Sequence, residues 1–152
     1  MTGTLTDVRS AQLTRSSKVL CAAYAAIALL ALLATWRNGG PYSHSPTAFL
    51  FDFWRDTKAN NASRFIAADI LMFGLAAAVW MVVDARRLRI RFAWAYILGS
   101  FLVAVSVCYP LFLIAREVKV GRTAPIGLHA LDAVLLAGLA SAMVALTVWI
   151  DR

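Results

Sequence analysis

Four apolar runs follow one another along the chain, at residues 19–36, 65–83, 92–115 and 126–150, separated by shorter polar segments. About 20 residues of helix at 1.5 Å each cover a hydrocarbon core of about 30 Å, so each run has the length of a transmembrane helix. Charges bound them: Lys18 and Arg37, Arg64 and Asp84, Arg91 and Arg116, then Asp151 and Arg152 at the end. Alternation with period two is absent, which excludes a transmembrane β-barrel. The pattern predicts an all-α protein, a single four-helix transmembrane bundle over 18–152 preceded by a flexible Ser/Thr-rich tail at 1–17.

The connection between the first two runs is patterned as well. It opens with the breaker Gly39-Gly40-Pro41 and continues with Phe49, Phe51, Phe53 and Trp54 beside Asp52, Arg55 and Asp56. Too short to span, this stretch suits either a short interfacial helix on the headgroups or a re-entrant flap over the bundle mouth.

Composition narrows the class. The chain has 152 residues, of which 61% are hydrophobic and 15% charged, and its mean hydropathy is +0.72. A soluble domain is nearer half apolar and a quarter charged, so the solvent of this fold is lipid. The net charge of +7 resides in basic residues beside the apolar runs, where they anchor helices at headgroups. Nucleic acid is therefore not an expected partner. Trp36-Arg37 follows the first run where small residues would mark signal-peptide cleavage, so that run reads as an uncleaved anchor.

Orientation rests on the density of basic residues. A cytoplasmic N-terminus places Arg9, Arg15, Lys18, Arg86, Arg87, Arg89, Arg91 and Arg152 inside, against seven basic residues outside. The four arginines between Asp84 and Arg91 break this near-tie, because short basic loops translocate poorly. Both termini are expected in the cytoplasm, with the protein in a bacterial inner membrane. Cys21 and Cys108 lie inside apolar runs near opposite faces, about 20 Å apart at 1.5 Å per residue, so a disulfide is not expected. No cofactor is implied, and no metal site has a recognisable ligand spacing.

Ionisable groups inside lipid are costly and need a reason. Asp69 lies about 6 Å into the second run and Asp132 about 9 Å into the fourth, counting 1.5 Å per residue. In a four-span bundle both lie on the side that holds Tyr109 and Arg116 at the end of the third run. Asp69, Tyr109, Arg116, His129 and Asp132 are therefore expected to share one polar layer near the non-cytoplasmic face. His129 and Asp132 are three apart, neighbours on one helical face. Pro110 releases a backbone carbonyl near Ser106 and is expected to kink the third helix. Such a layer is either an interhelical clamp, with Asp69 paired to Arg64 or Arg116, or a ligand site, or an ion pathway. Pairs of small residues at four-residue spacing, Ala22 and Ala26, Gly74 and Ala78, Gly138 and Ala142, permit close helix packing within the chain or in a homo-oligomer.

The stretch 61–117 resembles an uncharacterised family of short bacterial membrane proteins, a domain of unknown function. The residues that carry it are Ala62-Ser63-Arg64-Phe65-Ile66-Ala67-Ala68-Asp69, Val79-Trp80, Arg86-Arg87-Leu88, Ser106, Pro110-Leu111-Phe112-Leu113 and Arg116-Glu117. The resemblance implies a three-helix unit, to which the fourth run with His129 and Asp132 is an addition, and it implies no activity. Asp69 and Cys108-Tyr109-Pro110 are also similar to membrane proteins of neoxanthin synthesis. That likeness implies acid-catalysed rearrangement of an isoprenoid, with Asp69 as proton donor.

Three functions fit these features. One is a structural or accessory protein that docks on partner helices in a membrane complex. Another is a binder or enzyme for an apolar isoprenoid, quinone or lipid, with Asp69 as general acid or polar anchor. The last is an oligomeric transporter or channel subunit. Small multidrug exporters, which the chain superficially resembles, carry an acidic residue in their first helix, and 19–36 has none.

Overall fold

A computed structural model of the chain describes residues 13–120 and 129–152, and no strand occurs among them. Six helices follow in order: α1 Arg15–Gly39, α2 Phe53–Asp56, α3 Asn61–Leu88, α4 Ala93–Leu102, α5 Val105–Val120 and α6 Ala130–Ile150. The expected tail at 1–17 lies outside the described residues as far as residue 12, and from Arg15 the chain is already helix. Three stretches are long and apolar enough to cross a membrane: Arg15–Tyr42, Asn61–Leu88 and Ala130–Ile150.

The helix ends follow local chemistry. The Thr14 hydroxyl accepts from the Ser17 amide at the start of α1, and the Asn60 side chain accepts from the Ser63 amide at 2.8 Å at the start of α3. Each satisfies an amide that the first helical turn leaves unpaired. Gly39 ends α1, and Pro41 sits in the 3-10 turn Gly40–Tyr42 that follows. At its other end α3 stops on Arg89, which takes the left-handed conformation at φ 52°. Phe92 does the same at φ 61° immediately before α4.

The expected third span, 92–115, is not one helix. It breaks at Val103–Ala104, and α5 folds back against α4 as an antiparallel hairpin. The ring of Tyr96 meets that of Phe112 at 5.8 Å. Three residues nearer the tip, Gly99 faces Cys108 so closely that an added Cβ would lie 2.9 Å from Sγ. The missing Cβ is what allows the two helices to approach there. Ten residues of α4 rise only about 15 Å, about half a hydrocarbon core. Pro110 lies inside α5, so the departure from a straight span is a reversal before it and not a kink at it.

The hairpin packs between α1 and α3. Met81 and Ala85 of α3, Ile97 of α4 and Phe112 of α5 form a buried cluster, and α5 makes its largest interface with α1. Glu117, near the end of α5, lies within electrostatic reach of Cys21 and Tyr24, near the start of α1. The two helices are therefore antiparallel.

Two ends of the molecule follow from these directions. One, the lid end, holds the close of α1, the segment 40–60 and the start of α3. The other, the base, holds the start of α1, the close of α3 and both feet of the hairpin. α6 begins at Ala130, beyond residues 121–128, which lie outside the described residues. It finishes at the lid end, where Asn38 donates to Asp151 at 2.8 Å and Arg37 stands 3.9 Å from the same carboxylate.

Candidate functional site

The five residues expected to form one polar layer are dispersed. Asp69 is exposed on α3 and makes no hydrogen bond or ion pair among the described residues. Tyr109 is half-buried and meets the Phe73 ring edge-on at 6.2 Å, one turn beyond Asp69. Arg116 is at the base, where its Nε donates to Asp84 Oδ2 at 2.6 Å. Fifteen residues of α3, about 22 Å at 1.5 Å each, separate that contact from Asp69. His129 stands at the N-cap of α6 without a side-chain cap bond, and Asp132 occupies its first turn; both are exposed. Asp132 precedes Asp151 by about 28 Å of helix, so it lies far from the lid end to which Asp69 is closer. The hairpin explains the place of Arg116: because the chain turns back after α4, α5 runs opposite to the direction a four-span bundle assigns it.

The charged contact that does form pairs Arg116, expected in the polar layer, with Asp84, which the sequence marks only as the boundary of the second apolar run. Asp84 and Glu117 are both 7% exposed, and Arg116 lies across α5 from α3 to reach Asp84. Ala77, Met81, Asp84 and Ala85 are buried together on α3 at the four- and three-residue spacing of one helical face. That periodicity was the available signal that Asp84 points inward.

A cavity opens above the hairpin tip. Its volume is about 250 Å³, with walls from α1, α3, α4 and α5 and a roof from the segment between α1 and α3. Gly74, Ala78 and Met81 line it from α3, Ile97 and Ser100 from α4, and Val105 and Ser106 from α5. Among the described residues, none that lines it is charged. Its rim includes Phe101, Ile70, Leu71 and Val103, which are 58%, 42%, 38% and 37% exposed, so it opens onto the apolar flank of the molecule. An engineered cavity of about 150 Å³ lined by aliphatic and aromatic groups stays dry and binds benzene. The present one is larger and of similar lining.

The roof is a chain of aromatic rings. Trp36 at the end of α1 stacks on Phe49 at 6.2 Å, and Phe49 stacks on Phe53 at 5.7 Å. Tyr42 and Trp54 each meet Phe53 edge-on at 5.5 Å. The π-helical turn Ala48–Asp52 and α2 hold these rings in place, with Ala48 buried beneath them. The segment thus lies over the cavity at the lid end. Outside the roof, Tyr42 donates to Asp56 at 2.9 Å. Arg55 bridges Asp52 at 3.0 Å and Asp56 at 3.3 Å.

One polar atom in this region lacks a partner. Trp36 lines the cavity, and its indole Nε1 is buried without an acceptor, alone in that respect among the buried side-chain nitrogens and oxygens of the described residues.

A family-level match covers residues 23–118, well over half the chain, and its description is a protein of unknown function, DUF2834. The chain belongs to the DUF2834 family. The DUF2834 segment reaches further toward the N-terminus than the resemblance at 61–117 indicated, taking in most of α1, the aromatic roof, α3 and the α4–α5 hairpin. All elements that wall the cavity thus fall within it, and α6 does not. No curated protein and no solved structure matches the chain.

Proposed function

We propose that this DUF2834 protein is a membrane-embedded binding protein for a lipid-like apolar molecule, which occupies the cavity between α1, α3 and the α4–α5 hairpin. In this reading α1, α3 and α6 cross the bilayer, the hairpin enters it from the base and turns back at mid-depth, and the termini lie on opposite faces. A backbone reversal inside lipid is tolerated where protein surrounds it, and here α1 and α3 flank it. The observation that carries the proposal is the cavity itself: closed by aromatic rings, free of charged lining, and open toward the apolar flank from which a bilayer solute would enter.

Filling the cavity tests the proposal. A Cβ added at Gly74 meets nothing within 4 Å, so Gly74→Leu introduces bulk into the cavity without a backbone clash. Organic extracts of the purified wild-type protein are expected to contain an apolar molecule near one equivalent, absent from Gly74→Leu. Identical extracts from the two proteins refute the binding role.

A second reading is supported by α6. Every residue of that helix is exposed, and its ties to the rest are confined to Asp151 with Arg37 and Asn38. An accessory protein whose last helix docks on a partner subunit has this appearance. The two readings are compatible, since α6 contributes nothing to the cavity wall.

A further inference from the structure

Among the described residues, the two non-glycine residues with positive φ both lie between α3 and α4: Arg89 at 52° and Phe92 at 61°. Glycine is the ordinary residue where a helix ends in that conformation, and a bulky ring is strained there. Strain of this kind gathers at functional sites. Both residues line an open recess of about 630 Å³ at the base, with Val82 and Arg86 of α3, Ile90 and Arg91 of the turn and Trp94 of α4.

The charge of this recess is one-sided. Arg86, Arg89 and Arg91 line it, with no carboxylate among the described residues of the lining. The guanidinium groups of Arg86 and Arg89 make no hydrogen bond or ion pair among the described residues, and that of Arg91 stands 5.9 Å from the centre of the Phe92 ring. The carboxylates at the base, Asp84 and Glu117, are buried, and Asp84 is held by Arg116. Arg86 and Arg87 are in the last turn of α3, where they offset the negative end of its dipole. Arg89 and Arg91 lie beyond that turn. They face the field of an anion without competition.

The rest of the lining is apolar, with Phe92 and Trp94 76% and 63% exposed. From Trp94 the exposed face of α4 continues through Leu98 to Phe101, at the four- and three-residue spacing of one helical face. A water-soluble anion would leave that surface uncovered. A phospholipid covers it with acyl chains and sets its phosphate among the arginines, at the depth where exposed aromatic side chains meet headgroups. Basic recesses between membrane helices are a recurrent form of headgroup site. A zwitterionic headgroup brings a cation as well, for which this lining has no partner.

Resting on the placement of α1 and α3 across a bilayer, and not on any occupant of the cavity, we propose that the turn between α3 and α4 binds the phosphodiester of an anionic phospholipid. Arg89 and Arg91 hold the phosphate, Arg86 flanks it, and the acyl chains follow α4 past Trp94 and Leu98.

Three probes test this by titration calorimetry on the full chain in neutral detergent micelles: dioctanoyl phosphatidylglycerol, dioctanoyl phosphatidylcholine and glycerol phosphate. Wild type is expected to bind phosphatidylglycerol about tenfold more tightly than either of the others, the worth of one charge-assisted hydrogen bond. Arg89→Gln with Arg91→Gln is expected to abolish the preference. Arg15→Gln with Lys18→Gln removes the same charge from the start of α1, at the same end of the molecule, and is expected to keep it. Should the first pair fail to fold, Arg89→Gly decides the matter. Glycine suits the left-handed backbone, so this variant is expected to weaken phosphatidylglycerol about 3- to 10-fold without lowering the unfolding midpoint. Gly74→Leu, about 22 Å along α3 from Arg89 at 1.5 Å per residue, is expected to bind all three probes as wild type does. Equal affinity for the two lipids overturns the proposal, as does glycerol phosphate binding as tightly as phosphatidylglycerol, which marks a site for soluble anions. Equal losses in the two charge-removing pairs also overturn it, because they mark a diffuse field and not a site. Each of these results leaves the apolar cavity and its binding role standing, and identical extracts from wild type and Gly74→Leu leave the phospholipid site standing.

Discussion

The Asp84–Arg116 contact offers the most direct test of the reversed hairpin, because in a four-span bundle these residues would lie on opposite faces. In the structure the Arg116 Nε stands 2.6 Å from Asp84 Oδ2, with side chains 29% and 10% exposed. Charge centres about 4 Å apart at an effective dielectric of about 20 attract by roughly 4 kcal/mol, before the cost of desolvating both. Removing one partner of a buried pair costs about 3–5 kcal/mol, because the other is left uncompensated. The two losses are unequal here. Arg116→Met leaves the more buried carboxylate alone, and is expected to cost about 3–4 kcal/mol. Asp84→Asn leaves a guanidinium whose long stem can carry it toward water, and about 2 kcal/mol is expected. The double variant is expected to cost about 2–3 kcal/mol less than the sum of the singles, the range seen for residues in contact. Reversible unfolding in mixed micelles, titrated with a denaturing detergent, supplies all four free energies. Additivity within about 0.5 kcal/mol, the behaviour of distant sites, refutes the contact and with it the fold-back of α5.

Other perturbations address separate parts of the fold. Gly99→Val places its Cβ 2.9 Å from Cys108 Sγ and is expected to cost about 1–3 kcal/mol of overpacking; adding Cys108→Ala should restore at least half, as read by thermal unfolding in detergent. Arg89 ends α3 at φ 52°, where a side chain is strained by about 1–2 kcal/mol relative to glycine, so Arg89→Gly is expected to raise the unfolding midpoint. Tyr42 donates to Asp56 at 2.9 Å, so Tyr42→Phe is expected to raise the protease sensitivity of 40–60. The same sensitivity in both proteins would show that this bond does not hold the roof.

The helical character of the chain, with stretches long and apolar enough to cross a membrane, was legible because hydropathy responds to length and composition, and α1, α3 and α6 have both. The hairpin was not. Residues 92–115 are continuously apolar, and a window of hydropathy gives one crossing helix and two half-length helices folded together the same value. Nor do the residues of the break signal it: Val103 and Ala104 carry no turn preference, while Pro110, the conspicuous breaker, sits inside α5. Gly99 was the informative residue, and only its partner Cys108, nine positions on, gives it meaning. Asp69, Tyr109, Arg116, His129 and Asp132 were placed by depth, a quantity that depends on helix direction. Once one span becomes a hairpin, the direction of α5 inverts, so a single topological difference carries Arg116 to the base, away from Asp69. The aromatic segment was readable from local pattern alone as a short stretch that does not span.

That same reversal accounts for the cavity. A full-length third helix would fill the space between α1 and α3 from base to lid, and no room would be left beneath the aromatic roof. A hairpin that turns at mid-depth packs the lower half with Met81, Ala85, Ile97 and Phe112 and leaves the upper half to be closed by Phe49, Phe53 and Trp54. The charged pair at the base and the cavity at the lid end are thus two consequences of one turn. Asp84 and Arg116 hold the feet of the hairpin to α3, and the height at which the hairpin stops sets the floor of the cavity. Loosening the pair should therefore alter the cavity from a distance. Asp84→Asn, about 15 Å of helix below the Gly74 wall at 1.5 Å per residue, is expected to lower the amount of apolar molecule that is extracted with the purified protein, although neither Asp84 nor Arg116 lines the site. An unchanged amount in a folded Asp84→Asn protein would show that the floor is held by apolar packing alone.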